Sequence, residues 1–386
     1  MRFIKATTVY PISSNPIQNG VIVLNDKKQI IDVLPSDEGI EQTTIETHNG
    51  LICPGFINTH CHLELSHLKN QIPEKTGIVN FAKKIVSQRN NFMDELKQEA
   101  MFLANEEMQR NGIVAVGDIS NDDSSIATKI KSTIHYHTFI ELIGFNPANA
   151  QKIYAGGLEL KKTFLNKGLS ASLAPHAPYS VSLELMKLIV KDNNEYPCSI
   201  HNQESNAENN FFINGTGDLV DLYQSLHLPI DYFIPTKKTS LQSYLPQLLA
   251  KSKLLLVHNT FSSEADVTFA QQLYTNLYWC LCANANLYIE QTVPNVPFLM
   301  GNNCNITIGT DSLASNHQLS ITSELSTLLN QFPNITIDEA LNWATLKGAE
   351  FLGIQDVLGS IEKGKTPGLL LLTLKEKNIV IKKILA

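Results

Sequence analysis

Two histidines one residue apart, His60 and His62, close the run Pro54-Gly55-Phe56-Ile57-Asn58-Thr59-His60-Cys61-His62. In a β-strand, residues i and i+2 share a face, so two imidazoles here would meet at one point. That is how a strand end begins a metal site. The pair alone is weak, because the chain has eleven histidines and His135-Tyr136-His137 forms a second pair. Its weight comes from polar residues that end later apolar runs: His176 in Pro175-His176-Ala177-Pro178, and His201 and Glu204 in His201-Asn202-Gln203-Glu204. His258 in His258-Asn259 and Asp311 in Thr310-Asp311-Ser312 complete the set. Three imidazoles and one carboxylate suit a borderline divalent ion, so His60, His62, His201 and Asp311 are the expected ligands. Zn²⁺ is the expected ion and Fe²⁺ the alternative. A metal-activated water would be the attacking group. Glu204 is placed to shuttle protons, and His258 and Asp311 to orient or deprotonate the water.

These residues need a scaffold that brings five strand ends to one face. Eight strand-like runs occur, at 51–62, 113–120, 134–144, 169–176, 198–201, 253–258, 277–283 and 306–311, separated by helix-like stretches such as 78–110, 183–193 and 264–275. Eight strands alternating with helices is the count of an α/β (β/α)8 TIM barrel, whose catalytic residues sit at the C-terminal strand ends. The 206–252 stretch, with Gly215, Gly217, Pro229, Pro235 and Pro246, reads as a helix plus an active-site loop. Thr336-Ile337-Asp338-Glu339 has capping-box spacing ahead of a helix over 339–352. Short alternating runs before residue 50 (3–9, 21–24 and 29–33) and two more at 369–374 and 379–385 suggest that both termini build a small β-sandwich domain. The expected division is 1–50 plus 359–386 for that domain and 51–358 for the barrel.

Composition excludes several classes. Net charge is −7, charged residues make up 17% of the chain and no basic block appears, so neither nucleic acid nor an anionic membrane is an expected partner. A small-molecule substrate is expected, and a homodimer is the default assembly for a soluble oligomer. Arginine is confined to Arg2, Arg89 and Arg110, which limits bidentate capture of carboxylate or phosphate. Six cysteines without a CxxC, and no apolar leader over Met1 to Tyr10, predict a cytoplasmic protein with reduced thiols.

The stretch ending at His60-Cys61-His62 resembles the opening metal motif of the amidohydrolase superfamily. His201-Asn202-Gln203-Glu204, Val257-His258-Asn259, Gly309-Thr310-Asp311-Ser312-Leu313-Ala314-Ser315-Asn316 and Gly359-Ser360-Ile361-Glu362-Lys363-Gly364-Lys365 are similar to its later motifs, in order. No lysine ends run four, where binuclear members carry one, so the resemblance implies a mononuclear site. The His-x-x-Glu pair resembles the deaminase branch, which includes guanine, S-adenosylhomocysteine and aminodeoxyfutalosine deaminases, with triazine chlorohydrolases nearby. His60-Cys61-His62-Leu63-Glu64-Leu65-Ser66 and His176-Ala177-Pro178-Tyr179-Ser180 look nearest to the aminodeoxyfutalosine group. The resemblance implies hydrolytic deamination of an amino-substituted heterocycle, with Glu204 as proton shuttle. It implies His176, Glu64, Ser315 and Asn316 as substrate contacts. The chain departs from the family pattern at Cys282-Ala283-Asn284-Ala285-Asn286 and at Pro367-Gly368-Leu369, and 134–150 holds no arginine that would clamp an amino-acid carboxylate. The rival readings are hydrolysis of a cyclic amide, formimine or ring halide at the same site, and a catalytically silent scaffold. His135 and His137 read as structural, Cys61 as facing away from the metal, and Asp118 as support for a neighbouring loop.

Overall fold

The structure is a computed structural model that describes residues 1–192, 196–248 and 252–386. In chain order its strands are β1 (Arg2–Val9), β2 (Ile17–Gln18), β3 (Val21–Leu24), β4 (Ile30–Leu34), β5 (Ile45–Pro54), β6 (Phe56–Cys61), β7 (Ile113–Ser120) and β8 (His135–Leu142). They continue with β9 (Ser170–Pro175), β10 (Cys198–Asn202), β11 (Leu254–His258), β12 (Leu277–Leu281), β13 (Asn305–Ile308), β14 (Leu369–Lys375) and β15 (Asn378–Ile384).

The alternating runs at the two ends of the chain pair into one sheet, in the order β15-β14-β5-β1-β3-β4, with β2 on β1. Every pairing is antiparallel except β1 with β5. The sheet buries Ile4, Ile22, Leu24, Ile30, Ile52 and Leu369 on one face. The C-terminal β14 is held directly against β5, from Leu369–Pro54 to Leu372–Leu51.

The middle of the chain folds as parallel strands, continuously apolar because both faces are covered. They form two four-stranded halves, β6-β7-β8-β9 and β10-β11-β12-β13. Two seams join the halves into a (β/α)8 barrel. At one, the His201 N–H donates to the His176 carbonyl at 2.9 Å. At the other, the Thr310 and Asp311 N–H groups both donate to the His60 carbonyl, at 3.0 and 3.1 Å. The barrel interior is packed with Ile57, Ala115, Phe139, Leu255, Val257 and Cys280, and is plugged by Phe351 from the helix Leu346–Leu352. His137 lies in this lower interior, hydrogen-bonded to the Ser170 and Ser172 hydroxyls at 2.8 Å each, the structural role expected of it.

Four sequence expectations are refined. The run over 51–62 is two strands, because the chain changes partners at Gly55, from β14 at Pro54 to β7 at Phe56; a β-carbon there would come within 2.3 Å of Val114 Cγ1 and 2.9 Å of the Pro367 carbonyl. The 78–110 stretch is two helices, Gly77–Gln88 and Asp94–Arg110, parted by Asn90 and Asn91. The capping box forms as expected, but its helix stops at Ala344 and restarts at Leu346, because Thr345 leaves helical geometry (φ −133°, ψ −86°). Among its described residues the 206–252 stretch holds three α-helices, Asn206–Asn214, Asp218–Ser225 and Ser240–Tyr244, and a 3-10 turn at Leu245–Gln247; its residues 249–251, like Asn193 of the expected 183–193 helix, lie outside the described residues.

Candidate metal and active site

His60 and His62 leave β6 on one side, and the chain brings His201 from β10 and Asp311 from just beyond β13 to meet them. His62 Nε2 stands 3.2 Å from His60 Nε2 and 3.3 Å from His201 Nε2. Asp311 Oδ1 is 3.4 Å from both His60 Nε2 and His62 Nε2. Burial holds the His62 imidazole down at about 4 and drives His201 well below the usual imidazole range, so both are neutral at pH 7. The His201 Nδ1 proton is spent on the His176 carbonyl at 2.8 Å, which leaves Nε2 as a lone pair. Burial pulls the Asp311 carboxyl upward, but the His60 hydrogen bond and the adjacent His62 and His258 outweigh it and hold its pKa well below the carboxylate range. Lone pairs and a carboxylate oxygen that converge in this way repel one another unless a cation sits among them. The donor set therefore fits a divalent ion. His258 also stands within reach, since ligand-type atoms of His60, His201, His258 and Asp311 all lie within 4.8 Å of one another.

The backbone is bent to make this convergence. Gln203, His258, Asn259 and Asp311 all adopt left-handed φ values, of 44°, 74°, 60° and 57°. For non-glycine residues each such conformation costs on the order of 1–3 kcal/mol, and they cluster here at the ends of β10, β11 and β13. Gly309 makes room beneath His60: a β-carbon there would come within 2.9 Å of His60 Cβ and 2.8 Å of Cys280 Sγ. Cys61 is turned the other way, buried in the core between barrel and helices, as alternation requires.

Glu204 and His258 face each other beside the cluster, with Glu204 Oε1 3.6 Å from His258 Nε2. Burial, reinforced by the nearby charges of Asp311 and Glu290, raises the Glu204 pKa well above the carboxylate range, so it carries a proton to give. Burial also lowers the His258 pKa, which leaves a neutral ring able to take one. Asn286 fixes that ring by accepting from His258 Nδ1 at 2.8 Å. Asn286 closes the segment that departs from the family pattern, and Asn284 in the same segment ties it to Glu324 and Thr327.

A cavity of about 520 Å³ opens over this cluster. One wall is apolar, from Ile78, Phe81, Ile85 and Val86 of the helix Gly77–Gln88; Leu222, Tyr223, Leu226 and Tyr232 line it too. A polar band of Arg89, Asn121, Glu141 and His176 lies nearer the cluster residues His62, His201, Glu204, His258 and Asp311. Of the four residues expected to touch substrate, His176 lines the cavity, its Nδ1 held by Ser180 Oγ at 2.6 Å. Glu64, Ser315 and Asn316 are not among the lining residues. The Glu64 carboxylate is held by the Asn121 N–H at 2.9 Å and Arg89 Nη2 at 3.3 Å. Ser315 donates to Asp311 Oδ2 at 2.5 Å, and Asn316 donates to the Thr310 carbonyl and to Glu324. These two brace the Asp311 carboxylate and its loop; of that motif, Asp311 and Ser312 reach the cavity.

Sequence reading also missed Lys129. It is fully buried and paired at 2.6 Å with the equally buried Asp118, whose other oxygen accepts the Leu63 N–H at 2.8 Å. Asp118 thus supports the loop after His62, as expected. The one signal for Lys129 was a lysine in an otherwise core-facing helical position.

Fold and site together define a barrel hydrolase whose C-terminal face carries a donor set suited to a divalent metal. The chain belongs to the amidohydrolase family, whose profile matches residues 51–385. It is 26% identical over 376 residues to an aminodeoxyfutalosine deaminase of Nitratiruptor sp., covering 93% of this chain and 88% of the relative. Among solved structures it is similar to Helicobacter pylori aminofutalosine deaminase in complex with methylthio-coformycin, with TM-score 0.77, 21% identity and coverage of 97% and 93% of the two chains. It is also similar to an adenosine deaminase of Xanthomonas campestris with bound zinc, with TM-score 0.73, 23% identity and coverage of 97% and 85%.

Proposed function

We propose that the chain is a zinc-dependent aminohydrolase that deaminates an adenine-like nucleoside carrying an apolar group beyond its sugar. The observation that carries this reading is Glu204: a buried carboxylic acid, not a metal ligand, facing His258 across the cavity into which the metal cluster opens. Zinc deaminases of nucleobases use a non-ligand glutamate in this way. His60, His62, His201 and Asp311 would hold the ion, which when bound lowers the pKa of water toward neutrality. His258, with Nδ1 fixed by Asn286, presents Nε2 to take the water's proton. Glu204 gives its proton to the ring nitrogen beside the amino-bearing carbon. A C–O bond then forms and the C–N bond breaks; the amine leaves as ammonia with the proton that His258 took from water, and the remaining water proton, on the new hydroxyl, returns to Glu204 as the carbonyl forms. The apolar wall of the cavity, and the pairing of its one arginine with Glu64, suit an uncharged substituent at the distal end of the substrate. The names of the similar proteins, which act on aminodeoxyfutalosine and adenosine, support the nucleoside class.

The test is ammonia release by the zinc-loaded protein across a panel of adenosine, 5′-deoxyadenosine, 5′-alkylthioadenosines, aminodeoxyfutalosine and S-adenosylhomocysteine, with guanine, a cyclic amide and a halotriazine as controls. Ammonia from uncharged 5′-modified adenosines, ahead of S-adenosylhomocysteine, supports the reading. Chloride or a ring-opened acid from the controls, with no ammonia from nucleosides, overturns it.

A further inference from the structure

Glu141 ends β8 at the cavity wall and is 6% exposed. Its two oxygens differ. Oε2 accepts from Asn121 Nδ2 at 2.9 Å. Oε1 is buried and has no hydrogen-bond donor among the described residues. The nitrogen in reach, His201 Nδ1, stands 3.7 Å away, and its proton already goes to the His176 carbonyl at 2.8 Å. Leaving a buried acceptor unmade costs roughly 1–3 kcal/mol, and more for a charged one. A donor that belongs there is therefore supplied from outside the chain.

Two observations identify that donor. The first is chemical. Ligand-type atoms of Glu141, His176 and His201 lie within 4.8 Å of one another, but a cation would find few ligands among them, because His201 Nδ1 carries a proton and His176 Nδ1 is bonded to Ser180. A neutral hydroxyl that gives a hydrogen to Glu141 and faces His176 meets no such conflict. The second is positional. His201 spans the gap between the two places, with Nε2 in the metal cluster and Nδ1 toward Glu141. A ring that reacts at the cluster therefore carries its sugar to the level of Glu141. Resting on the nucleoside reading above, we infer that Glu141 is the sugar subsite: its Oε1 accepts a ribose hydroxyl, with His176 beside it, and sets preference for the ribo over the deoxyribo substrate.

The experiment pairs the wild type and Glu141→Gln, both zinc-loaded, with the preferred nucleoside and its 2′-deoxy, 3′-deoxy and 2′,3′-dideoxy counterparts. The expected wild-type loss in kcat/KM from ribo to dideoxy is about 10–100-fold, the size of leaving a buried polar group unpaired. Glu141→Gln should lose a similar factor on the ribo substrate, chiefly in KM, and treat all four within about threefold of one another. Its zinc content should equal that of the wild type. A wild type blind to the sugar hydroxyls overturns the assignment without needing the variant. An equal loss on all four substrates, or loss of zinc, gives Glu141 a role in orienting His201 and also overturns it. If the wild type deaminates other heterocycles and no nucleoside, the nucleoside reading fails first and takes this one with it.

Discussion

Glu204 carries the proposed proton transfer, and its buried acid has a direct consequence. Glu204→Gln keeps the shape and removes the proton, so kcat should fall by about 10²–10⁴ while zinc content stays whole. Steady-state kinetics with metal analysis on one preparation checks both; full activity would remove Glu204 from the mechanism. That these polar residues converge could be read from sequence because each ends an apolar run, and a polar side chain at a barrel strand end has few places to go. The lining of the cavity was less legible. Glu64, Ser315 and Asn316 lie within a few residues of a ligand, yet their polar atoms turn to Asn121, Asp311 and Glu324. Sequence adjacency carries no information about that choice. Asn286 was passed over as a site residue for the converse reason: its bond to His258 depends on a neighbour far away in the chain.

At the scale of elements, the buried Asp118–Lys129 pair ties the start of the loop after β6 to β7. A fully buried ion pair is a poor source of stability, and breaking one side alone strands a charge, so single variants say little about its purpose. Two double variants separate charge from acceptor. Asp118→Asn with Lys129→Met keeps an oxygen for the Leu63 N–H; Asp118→Leu with Lys129→Met removes it. Both should fold, and chelator competition should show zinc affinity weakened about 10–100-fold only in the second, as for other supports of metal ligands.

A second element-scale device is Glu208 of the helix Asn206–Asn214, which accepts the Gln203 N–H at 3.1 Å and so holds the strained turn between His201 and Glu204. Burial raises its pKa to about 8, against an unfolded value near 4.5. Between those values the folded chain keeps a proton that the unfolded chain releases. Stability from this group therefore falls as pH rises from 4.5 to 8, and levels above that. Thermal melts of Glu208→Gln, which cannot ionise, should gain on the wild type progressively from pH 5 to pH 8; a pH-independent difference would refute the linkage. The helices themselves were legible in outline but not in their breaks. The strand divides at Gly55 because the chain changes partners there, from β14 to β7, a pairing that no local pattern encodes.

For the molecule as a whole, the barrel count was legible because eight apolar runs alternate with helical stretches, and the pairing of the two ends was legible because short strand-like runs with no helical stretch between them occur at both. The parallel register of β1 on β5 was not, since it depends on where the barrel delivers the chain. Metal removal should act on the whole molecule. An ion bound a thousandfold above its dissociation constant adds about 4 kcal/mol to the folded state, so the apo protein should melt several degrees lower, as scanning calorimetry with and without chelator would show.

The two seams give that loss a location. His60 and His62 belong to one half of the barrel, His201 and Asp311 to the other, and the inter-half hydrogen bonds at His60 and His201 are made by the ligand residues themselves. An ion held by these four residues would be a clasp between two half-barrels, and joining the halves and assembling the proposed centre would be one event. Amide exchange in the apo protein should quicken first at His201, Thr310 and Asp311, while β7 and β12, inside each half, stay protected.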